Sequence, residues 1–279
     1  MTLGLAWLRH SGNVRELLVA SDSRLSGGQF WDANPKILLL PRTDAVISFA
    51  GATHDAYPLM LQAYNAIQMF PPARDRTLDL TDLRGHLTRV FNHSLKFISN
   101  LPKGQEKVVP EAIFLLAGYS WKSQRFKIWT LYFEPNLGEY TFRPAKPWKI
   151  ERGRSQKVIA FVGDEAAVAD ARNRLVARLR EKQTLDKEVG LDMEPFEVLR
   201  DVIRSHEFSS VGGAPQLVKI YEHMNVVPFG VLWPNASSKI VTYLGRPLME
   251  YEKTASRNVD PDNPFFDPKS VGNLLKTTT

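Results

Sequence analysis

Apolar residues run in short strand-length stretches at 2–9 and 14–21, separated by the turn-rich tetrapeptide HSGN, which predicts a β-hairpin. KILLLP (36–41) and AVISFAG (45–51) predict a second pair of short strands. The period then changes. Ala56, Met60, Ala63, Ile67 and Phe70 recur at helical spacing until Pro71-Pro72 stops the helix. Leu83, Leu87, Val90, Phe91 and Ile98 define a second helix, started by Asp79 or Thr81. Strand patterns return at 111–120, 125–135, 138–144 and 157–163. A third helix carries Ala167, Ala171, Leu175 and Leu179 on one face, and a fourth carries Phe196, Leu199, Val202 and Ile203. The last strands predicted are 215–223 and 227–234.

This order of strands, two helices, strands, two helices, strands argues against a doubly wound parallel sheet. It predicts an α+β chain in a four-layer αββα sandwich: two mostly antiparallel sheets face to face, with a helix pair on each outer face. Beyond about residue 250, Pro, Asp, Asn and Thr dominate. That stretch reads as an extended arm or a disordered end, with NPFFDP anchoring it to a neighbour or folding back onto its own domain.

Composition narrows the function classes. The chain has 279 residues, is 43% hydrophobic and 24% charged, and contains no cysteine, which removes disulfides, cysteine nucleophiles and thiolate metal sites. Its longest apolar runs are too short to span a bilayer, and no signal peptide is apparent, so a cytoplasmic protein without membrane contact is expected. The net charge of +6 raises a nucleic-acid reading. The most basic stretch, ARNRLVARLREK (171–182), instead spaces its arginines around an apolar helical stripe, the pattern of a solvated helix face, and no nucleic-acid partner is expected.

No phosphate-loop, HExxH or GxSxG motif occurs, and the six histidines have no convincing ligand spacing; no metal or cofactor is expected. What is present is Thr2 behind a start methionine. Once Met1 is removed, Thr2 would hold a hydroxyl nucleophile and an α-amine in one residue, the amine having a reference pKa of about 7.7–8.0. Taken singly, Asp22 ends a strand, Lys36 is a lysine after Pro35, and Gly51 is a turn.

Taken in order, Thr2, VASDSRLSGG, PKILLL and ISFAGATHDAYPLM resemble a proteasome β-type subunit and its bacterial relatives among the N-terminal-nucleophile hydrolases. EAIFLLAGYS, AFVGDEAAVADARNRL and SSVGGAPQLVKI extend the resemblance to roughly residues 2–234, leaving 235–279 as a C-terminal extension, partly extended or disordered. The resemblance implies the Ntn-hydrolase form of the sandwich and threonine-type endopeptidase activity. It implies Thr2 as nucleophile, Asp22 and Lys36 as its charged partners, and the Gly51 amide as oxyanion donor. Ser26 and Gly27 would offer backbone hydrogen bonds to a peptide, and Phe49 would wall the specificity pocket. It further implies self-assembly into rings or stacked rings, peptide or unfolded-protein substrates, and an ATP-dependent unfoldase as partner.

The chain departs from the family pattern in four places. The first hairpin is longer and the Asp22–Lys36 interval slightly short. Asp164 stands where the family has a serine that bonds the terminal amine. The family's second aspartate has no clear counterpart before SVGG, so Glu207 and Ser209 are candidates for supporting that amine. These departures keep two alternatives open: a non-catalytic structural subunit, and a small-molecule amidohydrolase of the same superfamily.

Overall fold

The computed structural model describes residues 2–11, 14–99, 109–148, 156–252 and 256–264. Met1, the tip of the first hairpin at 12–13 and residues 265–279 of the tail, including most of NPFFDP, lie outside the described residues.

Chain order is β1 (Leu3–Ser11), β2 (Val14–Ser21), β3 (Leu25–Gly27), β4 (Gln29–Trp31), β5 (Ile37–Leu39), β6 (Ala45–Ala50), α1 (Thr53–Met69), α2 (Pro71–Arg74) and α3 (Leu80–Ser94). Then follow β7 (Ile113–Ser120), β8 (Arg125–Glu134), β9 (Glu139–Pro144), β10 (Ile159–Gly163), α4 (Glu165–Glu181), α5 (Glu194–Ser205), β11 (Gln216–Tyr221) and β12 (Val226–Leu232). The tail adds β13 (Val241–Tyr243), β14 (Arg246–Pro247) and β15 (Asn258–Val259).

An eight-stranded sheet runs β10-β1-β2-β11-β12-β13-β14, with β15 pairing β12 in parallel; every other pair in it is antiparallel. A five-stranded antiparallel sheet runs β5-β6-β7-β8-β9, and β3 and β4 form a separate two-stranded ribbon. Alternation along β1 and β2 explains the burial on both faces. Ala6, Leu17 and Val19 meet Val46, Leu115 and Ala117 of the smaller sheet, while Leu5, Trp7 and Leu18 pack with Leu175 of α4 and Leu199 of α5. A further core joins Ile47 and Leu116 of the smaller sheet to Met60 of α1 and Leu87 of α3.

The regular four-layer αββα sandwich, the Ntn-hydrolase fold expected from the sequence, is corrected by this structure. Over the described residues the structure is β-rich, 33% strand and 30% helical, with mostly antiparallel sheets and five helices rather than a helix-flanked four-layer frame. Segments that read as turn or tail supply the difference. Residues 25–31 form the ribbon, residues 241–247 extend the larger sheet, and Pro71-Pro72 both ends α1 and opens the one-turn α2. Asp79 starts α3 as its cap, accepting a hydrogen bond from Thr81 N at 3.0 Å. No helix among the described residues is long and apolar enough to cross a membrane.

Candidate functional site

Four strand ends converge on one point, two from each sheet. Thr2 heads β1, with Asp164 N donating to its carbonyl at 2.9 Å, and Asp22 follows β2, its own N–H donating to Leu3 O at 3.2 Å. Lys36 precedes β5, and Gly51 follows β6. The Asp22 and Lys36 side chains are fully buried, and Thr2 is 2% exposed. Lys36 Nζ donates to Thr2 Oγ and, at 2.9 Å, to Asp22 Oδ1.

The Asp22 carboxylate is the hub. Oδ1 accepts from Leu3 N (3.1 Å) and Lys36 Nζ, and Oδ2 accepts from Arg24 N (3.1 Å) and Gly212 N (3.0 Å). With both oxygens held from separate chain segments, the carboxylate has one orientation open to it. Burial pushes the Lys36 ammonium below the ordinary lysine range, and the neighbouring Asp22 charge offsets part of that shift. A lysine so placed exchanges a proton with a hydroxyl more readily than a solvated one does.

Gln216, buried at the start of β11, sets the backbone around this pair. Its amide Nε2 donates to Asp22 O (3.1 Å) and Asn34 O (2.8 Å), and its Oε1 accepts from Lys36 N (3.1 Å). One side chain thereby ties the exit of β2 to the entry of β5.

A cleft of about 270 Å³ opens beside Thr2, lined also by Leu25, Ser26, Gly27, Gly51, Ala52, Thr53, His54 and Glu111. Gly51 has φ +104°, and a Cβ there would lie 2.0 Å from Glu111 O, so both its conformation and its close approach to the neighbouring chain require glycine. The N-terminus of the 17-residue helix α1 faces the same wall. Its cap is Ala52, which supplies no side-chain hydrogen bond, and Ala52, Thr53 and His54 line the cleft.

Other expected residues lie elsewhere. Phe49, expected to wall the pocket, is not among the residues lining this cleft: it is 1% exposed and packs in the core, edge-on to Tyr57 at 5.1 Å. Asp164 meets Thr2 through its backbone N–H. Its carboxylate caps α4 by accepting from Ala166 N (3.0 Å) and Ala167 N (3.3 Å), and its other oxygen accepts from Ser210 Oγ at 3.2 Å. Glu207 pairs with Arg174 at 3.0 Å, and Ser209 is exposed, its carbonyl accepting from Arg24 Nη1 at 3.3 Å.

The sequence reading missed Gly212, Gln216 and the Ser210–Asp164 contact. A glutamine opening a strand of Leu, Val, Ile and Tyr broken only by Lys219, QLVKIY, is the signal that marks Gln216. Gly212 and Ser210 carry no such mark, because their roles depend on a turn packing against β2. Among the described residues no group of three His, Cys, Asp or Glu side chains comes together as a metal site. No family model matches the chain, and no curated protein matches it in sequence.

Proposed function

We propose that the protein is a threonine-type peptidase related to the proteasome β-type subunits, cleaving peptide bonds with Thr2 as an N-terminal nucleophile. The observation that carries this reading is the hydrogen bond from buried Lys36 Nζ to Thr2 Oγ at the edge of a cleft. Lys36 in its neutral form takes the hydroxyl proton as Oγ attacks the scissile carbonyl. The oxyanion so formed faces the Gly51 N–H and the α1 N-terminus, where one such donor is worth about 2.7–4 kcal/mol. As the C–N bond breaks, the proton passes to the departing amine and the acyl group stays on Thr2 as an ester. Water then releases the acid and restores the hydroxyl.

The working enzyme on this reading begins at Thr2, acts in the cytoplasm on peptides or unfolded proteins, and assembles with its own copies into rings fed by an ATP-dependent unfoldase. A second reading, a non-catalytic subunit of such an assembly, draws support from Asp164, whose carboxylate is engaged in capping α4 instead of serving the terminal amine. Hydrolysis of a fluorogenic peptide panel separates the two. Turnover by wild type that disappears in Thr2→Ala supports the peptidase; equal and negligible turnover by both supports the scaffold.

A further inference from the structure

Arg24 sits between two elements of the site. Its guanidinium grips the Asp32 carboxylate through both oxygens, at 2.6 and 2.8 Å, stands 4.4 Å over the Phe30 ring, and donates to Ser209 O at 3.3 Å. Asp32 directly follows β4, so this ion pair fastens the ribbon that carries Ser26 and Gly27 of the cleft wall. On its other side the guanidinium lies against Gly212, where a Cβ would meet its Cζ, Nε and Nη2 at 2.4–2.7 Å. Gly212 is the residue whose N–H donates to Asp22 Oδ2, and its carbonyl accepts from Ser23 N at 3.0 Å. Ser23 Oγ lies within hydrogen-bond reach of two carbonyl acceptors, Asp32 O (2.9 Å) and Ala214 O (2.8 Å), closing a ring of contacts around the turn.

We infer that Arg24, locked by Asp32, is a positioning residue: it presses the Gly212 turn against Asp22 and so fixes the carboxylate that holds Lys36 at Thr2. The inference rests on the peptidase reading for its catalytic consequence, but not for its structural one. An exposed ion pair contributes only about 0–1 kcal/mol to stability. The worth of this one lies in geometry, since only a planar fork can hold both Asp32 oxygens while lying flat on a glycine. The Arg24 hydrogen bonds hold the Asp32 carboxyl below the usual range, with Lys36 and His206 facing it as lesser contributors, while Asp22 is the further charge facing Arg24. The clasp therefore persists into mildly acidic solution.

The test uses Arg24→Gln, Arg24→Lys, Asp32→Asn and the Arg24→Gln/Asp32→Asn double variant of the full chain. Three readouts apply: peptide kcat and KM, hydrogen exchange of the Gly212 amide, and titration of the Lys36 ε-carbon by NMR. Displacing the Asp22–Lys36 pair lowers kcat by about 10–100-fold, the scale of a misplacement of about 1 Å. Gly212 exchange quickens, the Lys36 midpoint shifts, Lys at 24 does not rescue, and the double variant is no worse than the worse single one, because the pair acts as a unit. A folded Arg24→Gln protein with wild-type Gly212 exchange and a wild-type Lys36 titration overturns the inference. If wild type and Thr2→Ala are equally inert, the peptidase reading fails while exchange and titration still decide the role of Arg24. If Arg24→Gln does not fold, Arg24→Lys and Asp32→Asn carry the same readouts.

Discussion

The carboxylate of Asp22 and the ammonium of Lys36 lie 2.9 Å apart, with neither side chain reached by solvent. Two unlike charges in such a place are held together by what each loses without the other. Removing one partner leaves an uncompensated buried charge, at about 3–5 kcal/mol. Lys36→Met and Asp22→Asn are each expected to destabilise the chain by that order. The double variant should cost clearly less than the sum of the two, as coupled neighbours do. Chemical denaturation of the three variants measures this.

Gly51 and Gly27 line the same cleft but differ in freedom. A Cβ at Gly51 meets Glu111 O at 2.0 Å on a backbone of φ +104°, whereas one at Gly27 meets nothing within 4 Å. Gly51→Ala should therefore destabilise by about 1–3 kcal/mol and displace the amide proposed as oxyanion donor. Gly27→Ala should stay within about 0.5 kcal/mol of wild type. Thermal melts of the two variants, with peptide turnover alongside, check both halves.

The pattern of apolar positions carried the main strands and the four long helices, because a period of two or of 3.6 is written in the residues that face a core. Asp22 and Lys36 were picked out by the order of motifs that resembles the proteasome β-type subunits, since taken singly each reads as a strand end or an ordinary lysine. Residues 25–31 and 241–247 were not legible as strands. Gln29, Phe30 and Trp31 are all exposed, so no buried alternation betrays them. The resemblance placed Phe49 at the pocket wall; a large apolar residue before Ala-Gly has the same sequence signature in a core as beside a cleft. The Gly212–Asp22 bond joins residues 190 apart and leaves no local trace.

Phe49 supplies a prediction of its own. Its ring is buried against Tyr57, so Phe49→Ala opens a cavity and should cost about 3–5 kcal/mol. Retention of wild-type stability with altered peptide preference would instead put the ring at the substrate. Denaturation midpoints and a substrate panel, measured together, distinguish the two.

Lys36 links activity and stability to pH. Its folded pKa lies below its unfolded one, because burial outweighs the attraction of Asp22. Between those two values the unfolded chain binds a proton that the folded chain has released, so stability rises with pH across the interval. That rise should vanish in Lys36→Met. Turnover should climb over the lower end of the same interval as Lys36 becomes able to accept the Thr2 proton, and Lys36→Arg, which stays protonated, should lack the climb. Denaturation and kcat profiles from neutral to alkaline pH read both.

Thr2 at a freed N-terminus, with its hydroxyl activated by Lys36, is the proposed nucleophile. The most direct measurement is to treat the protein with a peptide epoxyketone, which needs both groups on one residue, and to locate the adduct by intact and fragment mass. An adduct on Thr2 is expected in chains that begin there, formed far more slowly in Lys36→Met and absent in Thr2→Ala. Chains that begin at Thr2 and stay unmodified, or an adduct that persists in Thr2→Ala, would contradict that assignment.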